Sequence, residues 1–203
     1  NKIGFSALAS ASLMQILKKQ RDAVGLSVYS DAYEYYAPEK GSERHHHMLL
    51  DTLEKIVAQP PSAKKTKTFT YLHQIAQKIK RRSLIFLFTD MFQDDEEEER
   101  LFEALRHLKY NKHELTLFHT YDRERELNFD FDNVPKRFID VETGEGVNLY
   151  ADTVKANYEE AVRAYFERLR IKCMQYQINY VPVDIQQSFD QVLTTYLVER
   201  RKY

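Results

Sequence analysis

The residues able to do chemistry are few in this chain, and each admits a functional and a plain reading. Asp90 follows the apolar run Leu84-Ile85-Phe86-Leu87-Phe88 through Thr89. A carboxylate at a buried strand's end can ligate a metal or simply order the next loop. Asp94 to Glu99 is an unbroken acidic run, which reads as a solvated first helical turn, where negative charge suits the helix dipole. His45-His46-His47 is read as an exposed helix start with adventitious metal affinity. His73, His107, His113 and His119 lie far apart without ligand spacing and are given no role. Cys173 falls on one apolar stripe with Leu169 and Tyr176, so a buried inert thiol is expected rather than a nucleophile. Lys64, Lys65 and Lys67 surround Thr66, and Arg81-Arg82 follow later. Without interleaved aromatics, these cations do not make a nucleic-acid strand site.

Other chemistries are excluded by inspection. Glycines stand only at 4, 25, 41, 144 and 146, so neither a dinucleotide fingerprint nor a phosphate-binding P-loop can be written. The nucleophile elbow Gly-x-Ser-x-Gly, the zinc motif His-Glu-x-x-His and the kinase signatures are also missing. The 30 basic and 31 acidic residues leave a net charge of −1, which supports neither nucleic-acid nor membrane-surface binding. A single cysteine suits a reducing compartment, and no apolar run reaches membrane-spanning length. A cytoplasmic protein is expected.

The elements that must position these residues follow from periodicity. The 203 residues, 43% hydrophobic, suffice for one well-buried domain, and only 5 Gly and 5 Pro imply long regular elements. Helices are expected over 3–19, 45–58, from after Lys67 to Arg82, 95–110, 152–176 and 188–199. Strands are expected at 23–29, with a hairpin partner at 32–37 across Ser30-Asp31, and at 84–88, 115–118 and 178–181. The run at 84–88 lacks alternation, as in a strand covered on both faces. Residues 127–150 alternate around Gly144-Glu145-Gly146 as a small β excursion. Strands separated by helices predict a single α/β domain with a doubly wound, mainly parallel sheet, which collects ligands outside the carboxyl ends of its strands.

Several segments stand out, the first and third the more specific: Gln20-Arg21-Asp22-Ala23-Val24-Gly25-Leu26, Lys65-Thr66, Ile79-Lys80-Arg81-Arg82-Ser83-Leu84-Ile85-Phe86-Leu87-Phe88-Thr89-Asp90, Phe138-Ile139-Asp140-Val141-Glu142-Thr143-Gly144-Glu145, and the ending Phe189-Asp190 through Leu197. In order and along the whole chain, they resemble the bacterial domain of unknown function 58 family of von Willebrand factor A-like proteins. The resemblance implies a Rossmann-like fold of that type and a non-enzymatic role in binding proteins. MoxR-type AAA+ ATPases are the implied partners, and assembling or activating other proteins the implied task. It also implies Mg2+ at a metal-ion-dependent adhesion site, for which Thr66 and Asp90 match two of the ligand positions. The chain departs from that pattern in two ways. It begins inside the first helix, without the first strand and its Asp-x-Ser-x-Ser loop, so an upstream strand is expected between the strands at 23–29 and 84–88. Lys67 stands where an acidic residue is usual, and the lysines around Thr66 would oppose a hard dication. Magnesium is therefore expected to bind weakly or not at all. The competing expectation is a magnesium-dependent phosphohydrolase of Rossmann-like topology using Asp90 with Asp94 and Asp95. No second Asp follows Asp90 two residues on, which argues against the usual aspartate-nucleophile enzymes of that shape.

Overall fold

The computed structural model describes residues 1–29, 33–58, 68–91, 95–128, 136–139, 146–149 and 151–200. It begins with helix α1 (Lys2–Lys19), whose Asn1 side chain accepts from the Gly4 N–H at 2.6 Å, an N-cap that satisfies an otherwise orphaned donor. Strands β1 (Val24–Tyr29) and β2 (Tyr33–Lys40) form an antiparallel hairpin. Gly25 is required there, because a Cβ would lie 2.8 Å from the Ala37 carbonyl oxygen and 3.0 Å from the Glu39 nitrogen. Helices α2 (Glu43–Ala58) and α3 (Thr68–Lys78) precede strand β3 (Leu84–Thr89). Then come helix α4 (Asp95–Tyr110), strand β4 (Glu114–Tyr121) and a π-helical turn at Arg123–Leu127. A short antiparallel pair, β5 (Lys136–Ile139) and β6 (Gly146–Leu149), leads to helix α5 (Ala151–Gln175), strand β7 (Asn179–Asp184) and helix α6 (Phe189–Arg200).

The principal sheet is parallel in the order β3-β4-β7, with Phe86 opposite Thr116 and Phe118 opposite Val181. Helices cover both faces. On one, α3, α4 and α5 supply Leu72, Leu101, Leu105, Leu108, Leu169 and Cys173 against Leu115 and Leu117. On the other, α1 and α6 place Ala9, Leu13, Phe189, Val192 and Leu193 against Phe118 and Val183. A third cluster joins α1 to α2 and the hairpin through Ala7, Met14, Val24, Ala37, Leu49 and Leu53. The mixed α/β fold with a parallel sheet between helix layers is the expected class.

Several particulars differ from expectation. Strand β4, buried along all but its first residue, is the centre of the described sheet. Strand β3 is only half-buried, Phe86 included, because among the described strands it pairs on one side only, with β4. Strands β1 and β3 lie in separate sheets and are not hydrogen-bonded to each other, which is the separation expected between them. Helix α3 stops at Lys78 rather than Arg82; the chain bends there so that the Ser83 N–H can reach His113 Nδ1 at 3.1 Å. His45 and His46 are buried between α1, α2 and the hairpin, with His45 Nε2 3.0 Å from the Val24 carbonyl; only His47 of the triplet is exposed. Met48 and Val57, apolar residues of α2, are exposed. Glu98 departs from its solvated run: it is buried between α4 and α5 and binds Lys172 at 2.6 Å and Arg168 at 3.2 Å. Cys173 is buried, and burial pushes its thiol up to about 12, so it is inert at neutral pH. Among the described residues, no helix is long and apolar enough to cross a membrane.

Candidate functional site at the carboxyl edge of the sheet

All three parallel strands end on an acid at the same edge. Asp90 follows β3, Asp122 follows β4 and Asp184 closes β7. This convergence is a consequence of parallel pairing, which brings the carboxyl ends of non-neighbouring segments together. The acids are not equivalent. Asp184 is buried, accepting from Arg123 Nε at 3.2 Å and from the Gln186 N–H at 3.1 Å. Asp122 caps the π-helical turn by accepting from the Arg125 N–H at 3.3 Å, while its own N–H donates to Glu126 Oε2 at 3.0 Å. Glu126 also binds Lys2 Nζ at 2.6 Å. These groups hold the edge together.

Asp90 is different, with its side chain 58% exposed and its ion pair to Lys2 long, at 3.8 Å. Its neighbour Met91 is buried and has φ 57°, a left-handed conformation that costs a non-glycine residue roughly 1–2 kcal/mol. Two contacts hold it there: the Met91 N–H donates to Thr89 Oγ1 at 3.4 Å, and the Tyr165 hydroxyl donates to the Met91 carbonyl. The Thr120 hydroxyl donates to the Thr89 carbonyl at 3.3 Å. The turn that projects Asp90 is thus clamped from α5 and β4.

Beneath this turn lies His119, fully buried among Phe166, Tyr121 and Tyr180, with Nδ1 2.7 Å from the Tyr180 hydroxyl. Burial lowers its pKa to about 4, with the Lys2 charge acting the same way against a bond to the Asp90 backbone, so the ring is neutral under ordinary conditions. Burial also raises the phenol of Tyr180, and that of Tyr29, to which the negative charge of Asp90 adds. The Tyr29 hydroxyl is buried with no hydrogen-bond partner among the described residues. Neutral, apolar-walled groups therefore back the exposed carboxylate.

The chain belongs to the family described as protein of unknown function DUF58. That family matches residues 1–168, covering α1 through most of α5 and including Asp90, Asp122, Glu126 and Lys2, but not Asp184 on β7. No curated protein and no solved structure matches the chain.

Of the two residues that the resemblance offers as metal ligands, Asp90 stands at the strand edge as expected, while Thr66 lies outside the described residues, together with the lysines around it and Asp94. Beside Asp90 stands the Lys2 ammonium. Among the described residues, no three His, Cys, Asp or Glu side chains are grouped to hold an ion. A hard dication needs about six oxygen ligands, and the described part of this edge does not provide that set. Sequence reasoning did not foresee His119, Lys2, Glu126 or the Arg123–Asp184 pair. His119 left one usable signal: it sits in Leu115-Thr116-Leu117-Phe118-His119-Thr120-Tyr121, where an imidazole must be buried if the strand is central. The other three gave none, because their pairing depends on which strand ends meet.

Proposed function

We propose that this chain is a non-enzymatic protein-interaction module, working in the cytoplasm, that docks a protein partner at the carboxyl edge of its parallel sheet. The partner class is a MoxR-type AAA+ ATPase, and the task is to assist assembly or activation of other proteins. One observation carries the reading: Asp90 presents an exposed carboxylate from a turn held in a strained conformation by Tyr165, whereas the other acids of the edge are taken up internally. Strain of this kind persists where the surrounding structure fixes it, and it clusters at ligand-binding sites. A preset carboxylate gives a basic partner surface a contact at small ordering cost. Magnesium, if it takes part, completes its coordination from outside the residues described.

The test is binding of the purified chain to a MoxR-type ATPase from the same organism, by calorimetry with and without magnesium. Asp90→Asn should weaken binding about tenfold or more while leaving the melting temperature within a few degrees. Equal affinity of the variant would remove Asp90 from the interface. Magnesium-dependent phosphatase turnover lost in Asp90→Asn would replace the reading with an enzymatic one.

A further inference from the structure

The layer formed by α3 and α4 carries a pair of histidines that the carboxyl-edge site does not use. His73 on α3 and His107 on α4 direct the same ring atom at each other, Nδ1 to Nδ1, at 3.2 Å. Their ring centroids are 5.5 Å apart, the planes are inclined by 42°, and both side chains are half-buried. They are 34 residues apart in sequence, so only the packing of the two helices creates the pair. The backbone between them is fixed nearby: Asn111, one turn beyond His107, donates its side-chain amide to the Ala76 carbonyl at 3.2 Å.

We propose that His73 and His107 form a two-histidine site for a borderline transition-metal dication of the zinc type. Two imidazole nitrogens on one Zn2+, each at about 2.0–2.1 Å and at the tetrahedral angle, are about 3.3–3.4 Å apart. The observed separation is therefore close to a coordination edge before any ion arrives. Imidazole suits zinc, nickel and copper but not magnesium or calcium, so the site is distinct in metal class from the oxygen-ligand chemistry implied for Asp90. Without metal, the pair needs one Nδ1–H facing one bare Nδ1. With metal, both Nδ1 atoms donate lone pairs and each ring carries its proton on Nε2. No net proton is released from the neutral pair.

His107, but not His73, also borders an open groove that holds Glu103 and Arg106. Glu103 lies one turn before His107 and lines that groove, on the His107 side of the pair. Arg106, the cation adjacent in sequence, has its guanidinium over the Tyr176 ring at 5.4 Å. Among the described residues no third His, Cys, Asp or Glu is already in place, so water fills the remaining positions. The ion would be exchangeable, clasping α3 to α4.

Titration of the full chain with ZnCl2, monitored by calorimetry, tests the site. One equivalent should bind, His73→Gln and His107→Gln should each weaken it about tenfold or more, and His47→Gln, which removes the exposed member of the histidine triplet, should leave it unchanged. Nitrogen-15 spectra of the wild-type imidazoles supply a second reading that no misfolded variant can obscure. Zinc should move the Nδ1 resonances of two histidines to metal-bound positions and leave both rings protonated at Nε2, one of them gaining that proton as its tautomer changes. Absence of binding, binding that survives both substitutions, or coordination through Nε2 would each overturn the proposal and leave the pair a plain hydrogen bond.

Discussion

A neutral histidine sealed beneath an exposed aspartate has a thermodynamic signature. His119 has a pKa of about 4 in the folded chain because burial disfavours its cation, against about 6.5 when unfolded. The unfolded state thus binds the proton first as pH falls. Above pH ~7 the group is neutral in both states and contributes nothing to pH dependence; between pH ~6.5 and ~4 stability declines, by as much as ~3 kcal/mol. Burial lowers His46 and His113 in the same direction, so the acid limb should be steeper than one histidine produces. Urea melts from pH 7.5 to 4.5 should show this decline, and His119→Gln should make it shallower. An unchanged pH profile in the variant would mean that His119 is hydrated in the folded protein.

Helix ends show what could and could not be read from the sequence. Five glycines point to long elements with few turns, and the elements came out nearly where periodicity put them: α4 and the hairpin match closely, and Lys136–Ile139 pairs with Gly146–Leu149 as the expected excursion. What composition hid is that left-handed helix ends occur here without glycine. Arg21 has φ 63°, Lys112 φ 63° and Gln177 φ 56°. After each, the next N–H bonds back five residues: Asp22 to Leu17, His113 to Leu108 and Ile178 to Cys173. This closure stops α1, α4 and α5 and turns the latter two into parallel strands. An L-residue in this region costs about 1–2 kcal/mol, and glycine adopts it freely. Lys112→Gly should therefore stabilise the chain by about 1 kcal/mol in denaturant melts, less the entropy that glycine gains when unfolded. Destabilisation would place Lys112 in an interaction beyond its backbone role. The order of strands in the sheet was not legible either. The run at 84–88 has the composition of a covered strand, but composition does not reveal which neighbours pair with it, and the most buried strand proved to be β4. The candidate site was legible to the same depth: Asp90 could be found as a strand-end acid, whereas its clamp of Met91 and Tyr165 spans 74 residues and left no local mark.

On the scale of the whole molecule, α1 holds two structures together. Its Ala9 and Leu13 pack on the parallel sheet with α6, while Ala7 and Met14 pack on α2 and the hairpin. The hairpin and α2 share no strand pairing with the sheet, and their cluster is built from small and medium side chains around Leu49 and Leu53. Such a peripheral unit should open at lower free energy than the sheet, and amide exchange resolves the two as separate steps. The thermodynamics of nested opening make a directional prediction. Leu117, fully buried in β4, remains packed when only the hairpin and α2 open, so Leu117→Ala should lower the exchange free energy of β4 amides by about 2–5 kcal/mol and leave that of Leu26 and Leu53 unchanged. Leu53 loses its contacts in both the partial and the global opening, so Leu53→Ala should lower both. If Leu117→Ala instead accelerates Leu26 and Leu53 as much as β4, the hairpin and α2 unfold only with the sheet, and α1 fuses the two clusters into one cooperative unit.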